Sequence, residues 1–561
     1  GAEGAVGAEY APSREFRGRW AVRGDGPVSR PAPSDPAVAV TEFFRPIASF
    51  PGELHMIWRR FIALLSFMPT FVAAQGNGDR DKVRELDAYF AKAAKDWNVP
   101  GLAIGIVHKG QLIFAKGYGV RDVSTKAPVD TQTMFAIAST TKAITAAALG
   151  MLVDDGKVRW DDPVTKYVPT FAMYDPWATR EATVRDLITH RGGLPNADYL
   201  WTHGDNSREE VIRRIRFVKP TYSFRGGYVY HNVMYTVAGA VIEAASGMTW
   251  DDFLRQRIFQ PLGMTRSVTT LAEAKNKDNR AEPHGRQNDT LRVSGNSLAD
   301  GIGPAGSVWS SVADMTRWVK FLLDTGKVNG KPLLTPQTWS ELFKPVTILP
   351  PWNNNSAPQL RMSKPHFRSY ALGWFQQDYL GRQVDFHTGS LTGMIAINGL
   401  IREEGIGVYI ISNTSSEIRH PLMFKVFDTF LGAPARDWSG EMLAMQRADD
   451  ARDSTNTASR PQNQRVEGTK PSLPLDKYAG MFADPDSLYA PITITSENGA
   501  LRYKLGSTQA GTLEHWQYDS FRVVWDDWWR GRSTITFTVG PNGSADRLDI
   551  GNVEMRRTQR R

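Results

Sequence analysis

The stretch Phe135-Ala-Ile-Ala-Ser-Thr-Thr-Lys142, which runs on as Ala143-Ile-Thr-Ala-Ala-Ala-Leu-Gly-Met-Leu-Val153, decides how the rest of the chain is read. Apolar residues lead into Ser139. Helix formers, apolar all round, follow Lys142, and this pattern predicts a buried helix with Ser139 in its first turn. Residues at i and i+3 share a helix face, so the Ser139 hydroxyl and the Lys142 amine are expected to be neighbours. The helix N-terminus favours negative charge, hence an alkoxide. A hydroxyl is a poor nucleophile until a base takes its proton, and burial lowers a lysine's pKa enough to make the amine such a base. A Ser-x-x-Lys match also arises by chance roughly once or twice in a chain of this length. Its meaning therefore depends on partners elsewhere.

The chain has 561 residues, 41% hydrophobic and 22% charged, the profile of a largely globular protein with more than one domain. It has no cysteine, which excludes disulfides, thiolate catalysis and cysteine-ligated metals. The formal charge of +8 is carried in part by Arg556-Arg557 and Arg560-Arg561. No nucleic-acid-binding motif accompanies it, so a solvated basic surface is expected and no nucleic-acid partner.

Residues 1–55, rich in Gly, Pro, Ala and Arg, read as disordered or as translated upstream sequence. Met56-Ile-Trp-Arg-Arg60, the apolar run Phe61–Phe71 and Val72-Ala-Ala74 have the order of a signal peptide over 56–74, starting at Met56. A periplasmic or secreted product follows from that reading. The apolar run is short for a bilayer, so no stable membrane span is expected after signal removal.

Asp81–Trp97 has helical spacing. Leu102–Val107, the turn His108-Lys-Gly110 and Gln111–Ala115 read as a hairpin closed by Gly117-Tyr-Gly119, which predicts an antiparallel sheet backed by helices. Thr183–His190 reads as a short helix broken by Arg191-Gly-Gly-Leu-Pro195, where His190 fixes the helix end more readily than it serves as a base. A second motif, Tyr230-His-Asn232, leads into a long apolar helix. Alone, the tyrosine reads as core packing and the asparagine as a helix cap; together, a phenol beside a lysine can shuttle protons and the amide can hold a carbonyl or the lysine. A third motif, His387-Thr388-Gly389-Ser390, precedes two neighbouring strands, Gly393–Ile401 and Gly407–Asn413. Gly389 would let a substrate approach the backbone closely, and a strand edge could aim an N–H at a reacting carbonyl. Alone it reads as a strand-end turn.

Taken together, Ser139-x-x-Lys142, Tyr230-x-Asn232 and His387-Thr-Gly389 resemble, in order and surroundings, the serine β-lactamase-related superfamily: penicillin-binding proteins, class C β-lactamases, serine carboxylesterases and D-aminopeptidases. The resemblance covers roughly Asp81 to Leu431 and includes Thr183–Pro195, Pro261-Leu-Gly-Met264 and Tyr370-Ala-Leu-Gly-Trp374. It implies an α/β (α+β type) fold, an antiparallel sheet flanked by helices with a helical subdomain, over 79–440. It also implies a metal-free, cofactor-free serine hydrolase. Ser139 would form the acyl-enzyme, Lys142 activate it, and Tyr230 act as base and protonate the leaving group. Asn232, His387, Thr388 and Gly389 would bind substrate, and the N–H groups of Ser139 and Ser390 would form the oxyanion hole. His387 stands where class C β-lactamases carry lysine, and resembles the peptidase, aminopeptidase and esterase branches. The implied substrate is a small ester, a D-amino-acid-containing peptide or amide, or a cell-wall-derived peptide. The alternatives are a β-lactamase and a non-catalytic penicillin- or cell-wall-binding protein.

Residues 441–472 are polar and read as a linker. From 473 to 561 alternating strands separated by Asn498-Gly499 and Asn542-Gly543 predict a small domain resembling the β-barrel appended to some β-lactamase-related hydrolases. The Trp525, Trp528 and Trp529 cluster is expected to pack in the core or against the catalytic domain rather than to bind a ligand.

Overall fold

Three runs with a branched apolar residue at nearly every second position, Leu102–Val107, Met394–Ile401 and Ile406–Ser412, are buried along their whole length. Strands of that composition need cover on both faces, and they receive it. The computed structural model describes residues 71–558 except 289, 460–463, 487, 532 and 552. The readings of residues 1–55 and of 56–70 in the expected signal peptide lie outside the described residues.

The sheet comprises β1 (Gly101–His108), β2 (Gln111–Asp122), β3 (Ala127–Pro128), β4 (Thr347–Ile348), β5 (Arg368–Tyr370), β6 (Phe375–Tyr379), β7 (Arg382–Leu391), β8 (Met394–Ile401) and β9 (Ile406–Ser412). Its order is β4-β5-β6-β7-β8-β9-β1-β2-β3, with antiparallel pairing throughout. The helices that matter to the site are α1 (Phe71–Asp96), α2 (Thr141–Asp154), α3 (Val233–Ser246), α4 (Val312–Leu323), α5 (Arg419–Leu431) and α6 (Trp438–Ser459). The two-residue period of a strand sends Leu102, Ile104 and Ile106 to one face, where they join Leu86 and Phe90 of α1 and Leu422 and Val426 of α5. Ala103 and Val107 point the other way, into a core shared with α2, α3 and α4. Gly105 shares this second face, where a Cβ would stand 2.1 Å from Thr316 Cγ2 of α4, so the position is held by glycine.

Two local expectations change. Gly117-Tyr-Gly119 does not close the hairpin; the turn is Lys109-Gly110, at φ of 48° and 75°, and β2 runs on through Gly117–Gly119 to Asp122. The polar stretch expected as a linker is helical over its first half, within α6. Its start is anchored by a few aromatic contacts that composition conceals. Trp438 is 1% exposed, stacks on Phe424 of α5 at 4.6 Å and donates from Nε1 to Asp428 Oδ2 at 2.6 Å.

The C-terminal part is a closed barrel of eight strands among the described residues. They are β10 (Gly480–Ala483), β11 (Ile492–Glu497), β12 (Ala500–Leu505), β13 (Gln509–Gln517), β14 (Ser520–Trp525), β15 (Ser533–Val539), β16 (Ala545–Ile550) and β17 (Val553–Arg557). Asn498-Gly499 and Asn542-Gly543 are the expected turns, and pairing of Phe482 with Arg557 closes the ring. The barrel grips the loop Thr202–Asp205: Ser507 N–H donates to Asp205 Oδ1 at 3.0 Å and Thr508 Oγ1 to the His203 carbonyl at 3.0 Å. Tyr489 packs on Tyr199 at 4.3 Å. Trp528 and Trp529 lie against Gly285 and Gly295, so these two indoles contact the catalytic domain.

Trp438→Ala should destabilise the protein by about 3–5 kcal/mol, the cost of deleting a buried indole. A denaturant-unfolding midpoint equal to wild type would show that α6 is not docked.

Candidate active site

Ser139 follows Ala138, whose φ of 48° is uncommon for a residue with a side chain. Holding alanine there costs about 1–2 kcal/mol, and the constraint turns the chain sharply from strand Met134–Ala136 into the 3₁₀ turn Ala138–Thr140 and then α2. Lys142, one turn on, is fully buried. Its Nζ lies 3.0 Å from Ser139 Oγ, 2.6 Å from Asn232 Oδ1 and 2.9 Å from the Ala305 carbonyl oxygen. The ring centre of Tyr230 is 4.7 Å away.

The three partners have different appetites for a proton. Asn232 Oδ1 and the Ala305 carbonyl only accept. A neutral amine has two N–H bonds and one lone pair. Its hydrogens satisfy those two carbonyls, and the lone pair is left for the Ser139 hydroxyl. Burial holds the Lys142 pKa well below the usual lysine value, while the charge of Asp198 works the other way.

Asn232 stands at the N-cap of α3 but makes no capping bond. Its Nδ2 donates to Asp198 Oδ1 at 2.8 Å, which fixes the amide orientation and points Oδ1 at Lys142. Asp198 was not found by sequence reading. It is a lone aspartate beyond Gly-Gly-Leu-Pro195, held by Trp201 Nε1 at 2.8 Å after Ala197 at φ 57°, and no spacing rule connects it to Lys142. Burial raises its pKa, against the hydrogen bonds of Trp201 and Asn232 and the charge of Lys142.

Behind Tyr230 lies a box of rings. His190 sits 4.3 Å from Tyr230 and 4.5 Å from Tyr370, and is fully buried. Burial, with the charges of His231, Lys142 and His387, drives the His190 pKa well below its usual value. His231, the middle residue of the second motif, is also fully buried and is pushed down to about 4, chiefly by burial. Both rings are neutral at physiological pH, so His190 does not act as a cation here.

Strand β7 carries the third motif. The motif does not form a strand-end turn; it lies within β7, past the last residue paired with β6, Phe386, so that edge is free, and the face of the strand at Gly389 lies against the nucleophile turn. A Cβ at Gly389 would stand 2.2 Å from the Ile137 carbonyl and 3.1 Å from Ser139 N, so only glycine allows this approach. The structure thus brings Ser139, Lys142, Asn232 and Gly389 together, with the Tyr230 ring over the amine. His387 differs from the expectation. It is 1% exposed, Nδ1 donates to the Thr388 carbonyl at 2.6 Å, and Nε2 meets Tyr370 OH at 2.9 Å. The imidazole supports the wall from behind, because Tyr370 and Phe375 cover it and engage it before a substrate could. Thr388, 7% exposed, contributes that carbonyl; Ser390 is at the surface, next to the nucleophile turn.

An antiparallel sheet covered on both faces, with a serine–lysine pair opening the buried helix and a glycine strand beside it, defines the class of β-lactamase-fold hydrolases. The family model described as Beta-lactamase matches residues 86–423, and the chain belongs to that family. A model described as Domain of unknown function (DUF3471) matches residues 464–560. The chain is 28% identical over 451 residues to "Unguisins hydrolase ungD'" of Aspergillus campestris, covering 73% of this chain and 78% of that one. It is 24% identical over 340 residues to "Protein flp" of Staphylococcus aureus, covering 60% and 64%. An octameric penicillin-binding protein homologue from Pyrococcus abyssi shares the fold at TM-score 0.54 and 21% identity, covering 84% of this chain and 99% of that one.

Asp198→Asn keeps the hydrogen-bond geometry and removes the charge that favours the Lys142 ammonium. The lysine pKa then falls further, the free amine forms at lower pH, and the acid limb of kcat/KM should move to lower pH. An unmoved or raised limb would separate Asp198 from the titration of Lys142.

Proposed function

We propose that the chain is a serine hydrolase that acts through an acyl-enzyme on an ester or a D-amino-acid-containing peptide or amide. The observation that carries this reading is the fully buried Lys142 amine, 3.0 Å from Ser139 Oγ and bonded to two carbonyl acceptors. The amine takes the Ser139 proton as Oγ adds to the substrate carbonyl, whose electron pair moves onto oxygen. The N–H groups of Ser139 and Ser390 receive that oxyanion. Collapse expels the alcohol or amine, protonated by way of Lys142 and Tyr230, and water then releases the acyl group from Ser139.

The substrate class rests on two observations. The third motif supplies no fixed cation for a substrate carboxylate, which favours neutral esters and amides over β-lactams. The family also includes a relative named as a hydrolase of unguisins. A periplasmic or secreted location fits a peptide or ester substrate and rests on the order of residues 56–74.

Ser139→Ala should abolish labelling by a fluorophosphonate probe and lower turnover by several orders of magnitude, as loss of a nucleophile does. The wild type is assayed on p-nitrophenyl esters, D-amino-acid anilides and nitrocefin. Turnover of an ester or anilide in preference to nitrocefin supports the reading. Penicillin labelling with no turnover would replace it with a binding role, and normal labelling of Ser139→Ala would remove the nucleophile.

A further inference from the structure

Arg419, the first residue of α5, is among the largest side chains with almost no exposed surface, at 2%. Its NH1 donates to the Gly389 carbonyl, to Ser390 Oγ at 2.9 Å and to the Ala396 carbonyl at 3.3 Å. Its other nitrogens pair with Glu417, at 3.1 Å from Nε and 3.0 Å from NH2. The guanidinium therefore lies behind the strand that borders Ser139, out of reach of any substrate, with one half-buried carboxylate beside it.

The bonded carbonyl belongs to a particular peptide group. The C=O of Gly389 and the N–H of Ser390 are the two ends of one planar trans unit, and they point in opposite directions. Gly389 lies opposite Ala396 of β8, and one Arg419 nitrogen reaches both carbonyls, so the Gly389 C=O points toward β8, away from the free edge of β7. The Ser390 N–H is then aimed at that free edge. A cation bonded to a peptide oxygen withdraws electrons through the unit and makes its N–H a stronger donor, and serial hydrogen bonds strengthen one another in this way.

We infer that Arg419 is a positioning residue for the oxyanion hole: it fixes the Gly389–Ser390 peptide and polarises the Ser390 N–H toward the substrate oxygen, with Glu417 setting how much of its charge is felt. The inference rests on the acyl-enzyme reading above. The developing charge on the carbonyl oxygen is stabilised both by the polarised N–H and by the field of the buried cation. Glu417 opposes that field, so the two residues act with opposite sign.

That sign provides the test, made on the full-length protein. Acylation is followed by the burst of p-nitrophenol from p-nitrophenyl acetate, and the acetyl carbonyl stretch is read by infrared difference against the carbonyl-¹³C ester. A stronger oxyanion hole lowers that stretch. Glu417→Gln, at a half-exposed position, keeps an acceptor for Arg419 and removes its counter-charge. It should speed acylation several-fold and lower the stretch. Arg419→Lys, which loses the planar fork, should slow acylation by about tenfold, less than the loss of a whole oxyanion donor, and raise the stretch. A merely structural role predicts that both variants slow the reaction or leave it alone. Slower or unchanged acylation with an unmoved carbonyl stretch in Glu417→Gln would overturn the inference while leaving acetyl-Ser139 intact. Failure to find acetyl on Ser139 in the wild type by mass spectrometry would overturn the acyl-enzyme reading and this inference with it.

Discussion

A lysine amine with no exposed surface is the constraint around which the molecule is arranged. Removing an ammonium from water costs several kcal/mol unless a close counter-ion compensates it, and a buried amine escapes that cost by giving up its proton. Here, among the described residues, the carboxylate that opposes the effect of burial on Lys142 is Asp198, one amide further away, through Asn232. The protein instead offers the amine two carbonyl acceptors and one hydroxyl. A hydroxyl can accept as well as donate, so burial is what favours the neutral form, whose two hydrogens go to the carbonyls and whose lone pair takes the Ser139 hydroxyl.

Everything that surrounds this amine serves to bury or orient it. Helix α2 is covered on all sides from Thr141 to Leu152. Helix α3 packs against it, and the Gly303–Gly306 turn supplies the Ala305 carbonyl. The strained Ala138 aims Ser139 at Nζ, and Gly389 lets β7 close over the turn. The barrel contributes at a distance. It holds the loop Thr202–Asp205 and packs on Tyr199, the residue after Asp198, so the segment that carries the carboxylate is anchored from outside the catalytic domain.

Much of this was legible in the residues because it follows from periodicity. The i, i+3 spacing joins Ser139 to Lys142, and strand alternation sorts Leu102 and Ala103 to opposite faces. Asn-Gly pairs mark the barrel hairpins. What was not legible depends on contacts between segments distant in sequence. Asp198 meets Asn232 across 34 positions, and Arg419 meets Gly389 across 30. His387 was read as a pocket wall by its place in a motif, yet Tyr370, 17 residues earlier, takes its Nε2. Strand β13 is weakly marked in the residues because its buried positions, Gly511 and Leu513, hold only one large apolar side chain. The helix at Trp438 escaped notice because polar composition says nothing of a single anchoring indole.

The chemistry of the site turns on the charge of one atom, and nitrogen NMR can read it directly. With ¹⁵N-labelled lysine in the full-length protein, and Lys142→Met to assign the signal, the Nζ resonance of Lys142 should have the shift of a free amine at neutral pH and titrate well below the other lysines. An ammonium shift for Lys142 that persists until the surface lysines titrate would contradict the account, because the lone pair assigned to the Ser139 proton would not exist.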